Sequence, residues 1–561
     1  MSALLTIPET RPLPCTGDAR WPEMTHRGAA SAADWRDAVL RHGPAAAAER
    51  ADGGFAVAVD LGDDRIFLAV DRFAEQTLCY RVDGGRLQVA TRADLLAGPG
   101  DALDHQALFD YLYFHSIPAP RTVFVAVRRL PAGHCAVFQQ GKLTVSRYWT
   151  PAFRPLAQPS FDALRDEFLQ LLREAVRRRL GGEGQVACFL SGGTDSSTVA
   201  GLIGEVTGQP ASTYSIGFEA QGYDEMAYAR IAARRFGTDH HEYYVTPDDL
   251  LRHMPEVAAW QDQPFGNSSV LPSYCCARVA HAEGVRHLVA GDGGDELFGG
   301  NARYATQRMF GVYEQVPSFL RRGVLEPVFG SAVVGRTPLL KFGSGYIRHA
   351  RTPMPDRIQG HNLLLRLGAR QVLTPGFLAG IDAEGPLKLQ REVWRYADAD
   401  GELDRTLAYD WRFTLAESDL PKVRDATRMA GIDVAFPLID RQLLEFSLKL
   451  PASYKLRGMK LRWFFKEALR GFLPDEILSK KKHGFGLPFG VWAVKHAGLR
   501  ALAEDALRSI ATRGLVRRDF VDPLLSTHLP AHPGYYGEMV WILTMLELWL
   551  RRHQPEFRVP A

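Results

Sequence analysis

The run Leu190-Ser191-Gly192-Gly193-Thr194-Asp195-Ser196-Ser197 carries the densest set of groups able to do chemistry in this chain. Two glycines let the backbone approach a ligand closely, and the amides that follow point at it. Ser191, Ser196 and Ser197 add neutral donors, and Asp195 is able to hold a Mg²⁺ ion bridging phosphate oxygens. No lysine follows in the G-x-x-x-x-G-K-[ST] arrangement, so this is not a Walker A loop. A lone Gly-Gly would fit an ordinary strand–turn–helix junction; the full Ser-Gly-Gly-x-Asp-Ser-Ser string is far more specific. Two other runs hold candidate groups: Gly291-Asp292-Gly293-Gly294-Asp295-Glu296, rich in carboxylates, and Met459-Lys460-Leu461-Arg462-Trp463, which is basic. Lys480-Lys-Lys-His483 is basic too, and a solvated loop is its simpler reading.

The elements that must position these groups are legible around them. Val186-Ala-Cys-Phe-Leu190 is an apolar run of strand length, and Ser196 to Val206 follows with helical spacing. Thr213 to Phe218 and His287 to Ala290 read as strands, and Phe161 to Leu180 and Met226 to Phe236 as helices. Strands alternating with helices predict a doubly wound, mostly parallel α/β sheet, and such sheets bind ligands beyond their strand ends. From Pro317 onward the pattern is mainly helical with no strong strand. Before the proline-rich stretch 151–159, Phe55 to Asp60, Arg65 to Val70, Arg86 to Ala90, Cys135 to Phe138 and Lys142 to Val145 predict an antiparallel β domain. Residues 1–50 show weak periodicity and place little structure.

Composition excludes other classes. At roughly 150 residues per domain, 561 residues predict two to four domains. With 67 Lys+Arg against 64 Asp+Glu the net charge is only +3, too small for a dedicated nucleic-acid or anionic-membrane surface. Six cysteines without a CxxC pair read as small hydrophobes in a reducing compartment, with Cys275-Cys276 as core. The most apolar stretch, Met539 to Leu550, is about a dozen residues long against the roughly 20 a spanning helix needs, and it contains Glu547. Met1 to Thr10 has no basic region of a secretory signal. A cytoplasmic location is the expectation.

The string SGGTDSS resembles the pyrophosphate-binding loop of ATP pyrophosphatases, which cleave ATP to AMP and pyrophosphate. Further segments narrow the resemblance to the asparagine synthetase (B-type) family. They are Tyr223 to Arg230 with Gly237 to Glu242, Asp262-Gln-Pro-Phe265, Gly291 to Gly300, Phe436 to Asp440 with Leu456-Arg-Gly458, and Lys482 to Pro488. The likeness runs in the family's order from about residue 54 to the C-terminus. It implies two domains. Residues 1–155 would be a truncated, degenerate glutaminase-like domain, an antiparallel β sandwich of the Ntn-hydrolase type. Residues 156–561 would be an ATP-pyrophosphatase (adenine nucleotide α-hydrolase-like) synthetase domain with a helical C-terminal part. It implies ATP and Mg²⁺, with Asp195 and Asp295 holding the metal and Leu190, Ile216 and Gly291 contacting adenine. Asp292 occupies the place of the family's base on the attacking nitrogen. The family usually carries a lysine for the oxyanion where Arg462 stands, with Lys460 two residues earlier, so that role is shared between them.

Two departures stand out. Glutamine-dependent members begin with a cysteine nucleophile after removal of the initiator Met; this chain begins Met1-Ser2-Ala3, and no R-G-P-D or N-G-E-[IL]-Y-N segment for glutamine exists. Only the back half of that domain, Phe55 to Trp149, is recognisable, and Cys15 would serve as nucleophile only after clipping. In the synthetase half, the usual Asp-Arg is Arg424-Asp425, the Glu-Val-Arg triplet is Asp433-Val434-Ala435, and Ala-Asp is Gly266-Asn267; these altered positions are expected near the acyl-acceptor side. The resemblance implies an AMP-forming amide synthetase that adenylates a carboxylate, by default aspartate, and transfers ammonia or an amine without hydrolysing glutamine. A β-lactam synthetase or lasso-peptide cyclase type of relative is the second reading, and an inactive scaffold the third. The partners implied are small carboxylates and amines, without nucleic acid or membrane, and a homodimer is compatible with the sequence.

Overall fold

The computed structural model describes residues 15–21, 29–98, 100–180, 186–220, 222–330, 338–480 and 486–560. Strands β1 (Cys15–Gly17), β2 (Phe55–Gly62), β3 (Arg65–Val70), β7 (His134–Gln139) and β8 (Lys142–Arg147) form an antiparallel sheet in the order β1-β2-β3-β7-β8. A second, three-stranded sheet is ordered β5 (Arg86–Ala90), β4 (Cys79–Asp83), β6 (Arg128–Arg129). The period of two explains their packing. Ala56, Ala58, Ile66, Leu68 and Val70 point at Leu87 and Val89 of the second sheet. Phe55, Val57, Val59, Phe67 and Ala69 meet Trp35, Val39, Ala47 and Ala48 on the other side. Those last four sit on helices Ala32–His42 and Pro44–Arg50, in the region whose sequence placed little structure. The first helix starts at a capping box, Ser31 Oγ accepting from the Asp34 amide, and it buries Trp35, Ala38 and Val39 at helical spacing.

The second half is built on a parallel sheet ordered β11 (Asp239–Val245), β10 (Ser212–Phe218), β9 (Ala187–Phe189), β12 (His287–Val289), β13 (Asp433–Ala435). From β9 the chain winds outward through β10 and β11, then returns to the other side for β12 and β13. The gap between β9 and β12 is therefore the switch point, where the loops above the strands part and leave a crevice. β13 lies in the mainly helical stretch beyond Pro317, where the sequence shows no strong strand. It is three residues long, so no alternation registers in its sequence, and only its pairing of Asp433 with His287 makes it a strand. A short hairpin, β14 (Leu456–Arg457) and β15 (Lys460–Leu461), follows.

One hydrophobic core runs across both halves, joining Leu108, Tyr111 and Leu112 to Met539, Trp541 and Leu546. The Tyr111 hydroxyl donates to the Ile542 carbonyl at 2.7 Å. Helix Pro533–His553 is buried along most of its length, and its Glu547 is held by Ser509 Oγ at 2.7 Å, Arg513 Nε at 2.8 Å and Arg551 Nε at 2.9 Å. A buried carboxylate needs such partners. Among the described residues no helix is long and apolar enough to cross a membrane.

Candidate functional site at the sheet switch point

A cavity of about 1250 Å³ opens above the ends of β9, β10 and β12. Leu190, Ser191, Gly193, Asp195, Ser196, Ile216, Gly291, Asp292, Asp295, Lys460 and Arg462 all line it, so the fold brings together most of the positions singled out in the sequence. Gly192 and Ser197 lie just behind the wall. Gly192 has φ 66°, and a Cβ there would stand 2.3 Å from the Ala229 amide nitrogen. Only glycine allows this turn to press against helix Met226–Phe236.

The loop is preformed by its own hydroxyls. Ser196 Oγ lies 3.0 Å from Ser191 Oγ and accepts from the Ser191 amide at 3.1 Å, while Ser191 Oγ accepts from the Gly193 amide at 3.3 Å. Helix Thr194–Thr207 begins at Gly193 with no side-chain cap, which leaves first-turn amides for a ligand. The Ser197 hydroxyl is buried without a hydrogen-bond partner among the described residues.

On the far side of the switch point, Asp292 faces a cation that sequence reasoning missed. Lys422 Nζ donates to Asp292 Oδ1 at 3.2 Å and to Asp419 Oδ1 at 3.5 Å. Burial raises the Asp292 carboxyl above the ordinary carboxylate range, and Lys422 works against that rise. Burial alone would weaken the Lys422 ammonium, but Asp292 and Asp419 outweigh it and hold its pKa above the usual value. The signal was present: Lys422 opens the same run as the Arg424-Asp425 inversion.

The cations divide in an unexpected way. Lys460 is exposed on β15, whereas Arg462 is buried between Asp195 and Asp295, donating from Nη1 to Asp195 Oδ2 at 2.7 Å and to Asp295 Oδ1 at 2.8 Å. Lys466, one helical turn beyond Arg462, also lines the cavity; burial and then Arg462 lower its pKa. Its i+4 spacing from Arg462 could have revealed it. Lys480 is not the solvated residue expected of its loop. Its Nζ sits 3.1 Å from Glu225 Oε1 and donates to the Gly192 carbonyl at 3.4 Å, contacts from elements that the local sequence does not announce. Lys481, Lys482 and His483 lie outside the described residues.

Of the altered positions expected on the acyl-acceptor side, Asn267 does line the large cavity, its amide donating to Ser418 Oγ at 3.0 Å. Arg424 and Asp425 face a separate cavity of about 260 Å³ instead, shared with Arg92, Arg129 and Glu417. In the N-terminal half Ser2 lies outside the described residues. Cys15 is half-buried on β1, its thiol donating to the Ala30 carbonyl at 3.6 Å, and burial followed by Asp34 pushes its pKa up. Reactive cysteines show the opposite shift.

A hydroxyl-braced Ser-Gly-Gly loop and paired carboxylates meet at one cavity at the switch point of a parallel sheet, the arrangement of a doubly wound α/β protein. Residues 167–551 match the asparagine synthase family and residues 25–149 the glutamine amidotransferase domain family. The first match spans well over half of the chain, which therefore belongs to the asparagine synthase family. Among its relatives are two Bacillus subtilis proteins, asparagine synthetase [glutamine-hydrolyzing] 1 and 3. The first is 24% identical over 531 residues, covering 92% of this chain and 81% of the relative. The second is 24% identical over 457 residues, covering 77% and 66%. An amidase of Penicillium rubens is 24% identical over 479 residues, covering 77% of this chain and 69% of the amidase. Family and site together make the chain an ATP-dependent amide synthetase, a ligase that forms C–N bonds.

Proposed function

We propose that this enzyme adenylates a carboxylate at the expense of ATP, releases pyrophosphate, and transfers free ammonia or an amine to the acyl-adenylate without hydrolysing glutamine. Aspartate is the default carboxylate and asparagine its product. The observation that carries the reading is the convergence of the Ser191–Ser197 loop, the Asp195–Asp295 pair and the Asp292–Lys422 pair on one cavity.

In this reading Ser191, Ser196 and the open first-turn amides hold the phosphates while Ser197 backs the loop from behind the wall, Gly192 and Gly193 let the backbone reach them, and Leu190, Ile216 and Gly291 border the adenine. Asp195 Oδ2 and Asp295 Oδ1 both lie within 2.8 Å of one nitrogen of Arg462, so two carboxylate oxygens face a single cation position, and carboxylate oxygen is the donor chemistry Mg²⁺ takes. Asp195 and Asp295 would hold a magnesium ion there, which would supply charge neutralisation for the departing pyrophosphate. Carboxylate attack on the α-phosphorus breaks the bond to the β-phosphate, and the leaving charge meets fixed amide donors. Asp292 then takes the proton of the attacking nitrogen. Its burial-raised carboxyl suits a base better than an ordinary aspartate, and Lys422 keeps it ionised. Arg462, with Lys460 beside it, supplies positive charge for the oxyanion.

Independence from glutamine is supported by Cys15, whose thiol is held protonated, and by the missing glutamine-binding segments. The altered Asn267 at the cavity wall favours one second reading, a relative that makes a natural-product amide or macrolactam of the β-lactam synthetase or lasso-peptide cyclase type. A panel of carboxylates and amines, read by pyrophosphate release and mass detection of the product, decides. Turnover with aspartate and ammonia supports the default; turnover only with another pair supports the second reading; none with any pair refutes both.

A further inference from the structure

Arg462 leaves the β14–β15 hairpin with φ 53° and ψ 36°, a left-handed conformation that costs free energy for a long side chain. The backbone is bent where the side chain is most constrained. At 4% exposure the guanidinium bonds both carboxylates of the expected metal pair, Nη1 reaching Asp195 Oδ2 at 2.7 Å and Asp295 Oδ1 at 2.8 Å, while Nη2 donates to Asp195 Oδ1. The Phe465 ring closes its face at 4.0 Å.

Two glycines make room for this cluster. A Cβ on Gly294 would fall 2.1 Å from Asp195 Oδ1 and 3.0 Å from Arg462 Nη2. On Gly300 it would fall 1.7 Å from Asp295 Oδ1 and 2.5 Å from Arg462 Cδ. The loop after β12 is thus shaped around the guanidinium as well as the carboxylates. The arrangement nevertheless leaves Arg462 Nε buried with no hydrogen-bond partner among the described residues, at the wall of the nucleotide cavity. A buried donor of this kind favours an acceptor brought by a ligand.

Nη1 stands where the two carboxylate oxygens converge. Magnesium needs oxygen ligands at about 2.0–2.1 Å, which leaves no space for a nitrogen between them. We propose that Arg462 is a displaceable latch. In the nucleotide-free protein its guanidinium occupies the cation position on Asp195 and Asp295, and a divalent ion gains this pair only by displacing it. Nucleotide phosphates favour the exchange by giving the guanidinium, including its unpartnered Nε, new acceptors. A lysine at this position would offer a single point charge and no fork, so the latch belongs to the arginine. The inference rests on the reading of Asp195 and Asp295 as the metal pair.

The test is Mn²⁺ binding to the nucleotide-free, full-length protein, followed by the electron paramagnetic resonance signal of free Mn²⁺, with pyrophosphate exchange measured in parallel. Charge-assisted hydrogen bonds of this type correspond to about a tenfold effect or more. R462Q is expected to bind Mn²⁺ at least about tenfold tighter than wild type, R462K to fall between them, and the R462Q/D195N double variant to lose the gain. Equal affinity in wild type and R462Q, or a gain that survives D195N, overturns the latch. Should R462Q fail to fold, R462K decides by the same ordering. A wild type that exchanges pyrophosphate while the variants gain no Mn²⁺ affinity refutes the latch alone. Tighter Mn²⁺ binding in an enzyme that never forms pyrophosphate refutes the proposed reaction alone.

Discussion

Replacing Lys422 by methionine keeps most of the buried stem and removes one charge, and it probes the proposed role of Asp292 as base. Lys422 Nζ lies 3.2 Å from Asp292 Oδ1 and 3.5 Å from Asp419 Oδ1. At an effective dielectric of about 20, each contact is worth about 5 kcal/mol of attraction. Desolvation cancels much of that, and breaking one partner out of a buried pair costs about 3–5 kcal/mol in net terms. The protein escapes that cost by protonating a carboxylate. Burial already raises Asp292 and Asp419 repels its charge, so without Lys422 its carboxyl rises further. A base must be ionised to work. The acidic limb of amide formation therefore moves to higher pH in K422M, and at neutral pH amide formation falls within the roughly 10²–10⁴-fold that general-base catalysis supplies. Pyrophosphate exchange, which does not use Asp292, stays within a few-fold of wild type. Parallel pH profiles of pyrophosphate exchange and of mass-detected amide read both effects. An unmoved acidic limb, or equal loss in both half-reactions, would refute the reasoning.

Other perturbations separate the remaining parts. Asp195→Ala is expected to abolish pyrophosphate formation, whereas Asp292→Ala spares adenylation and removes amide transfer; equal loss of both steps in the second variant would end the case for Asp292 as base. Gly192→Ala, with its Cβ 2.3 Å from the Ala229 nitrogen, is expected to cost about 1–3 kcal/mol of stability and to weaken nucleotide binding; an unchanged thermal melt and nucleotide titration would contradict the preformed loop. Free ammonia or an amine should support turnover where glutamine does not, and Cys15→Ala should leave that turnover unaffected. Ammonia release from glutamine at a rate matching amide formation would overturn this expectation.

How much was legible depended on how local each signal is. The Ser191–Ser197 loop could be read because every group in it lies within a few residues and sits between a strand and a helix. Strand Arg65–Val70, read as a short β-rich run, and helix Met226–Phe236 fall on the residues the sequence marks. β13 could not be read, since three residues carry no period and its identity comes from pairing with β12. Helix Pro44–Arg50 was hidden by its run of alanines, which are indifferent to which face is buried. The Lys422–Asp292 contact joins residues 130 positions apart, and Arg462 reaches Asp195 across 267. Such partnerships are products of the closed fold. The sequence marked Arg462 as a departure from lysine without disclosing that its side chain bonds both Asp195 and Asp295.

Acyl-adenylate formation is the central step of the proposed reaction, and isotope transfer tests it most directly. With the carboxylate substrate labelled by ¹⁸O in both oxygens, one labelled oxygen attacks the α-phosphorus and leaves with AMP when the amine displaces it. Mass spectrometry of a single-turnover reaction is predicted to find one ¹⁸O in AMP and one in the amide, with unlabelled pyrophosphate. Products of ADP and phosphate, or AMP without label alongside amide, would contradict the central claim.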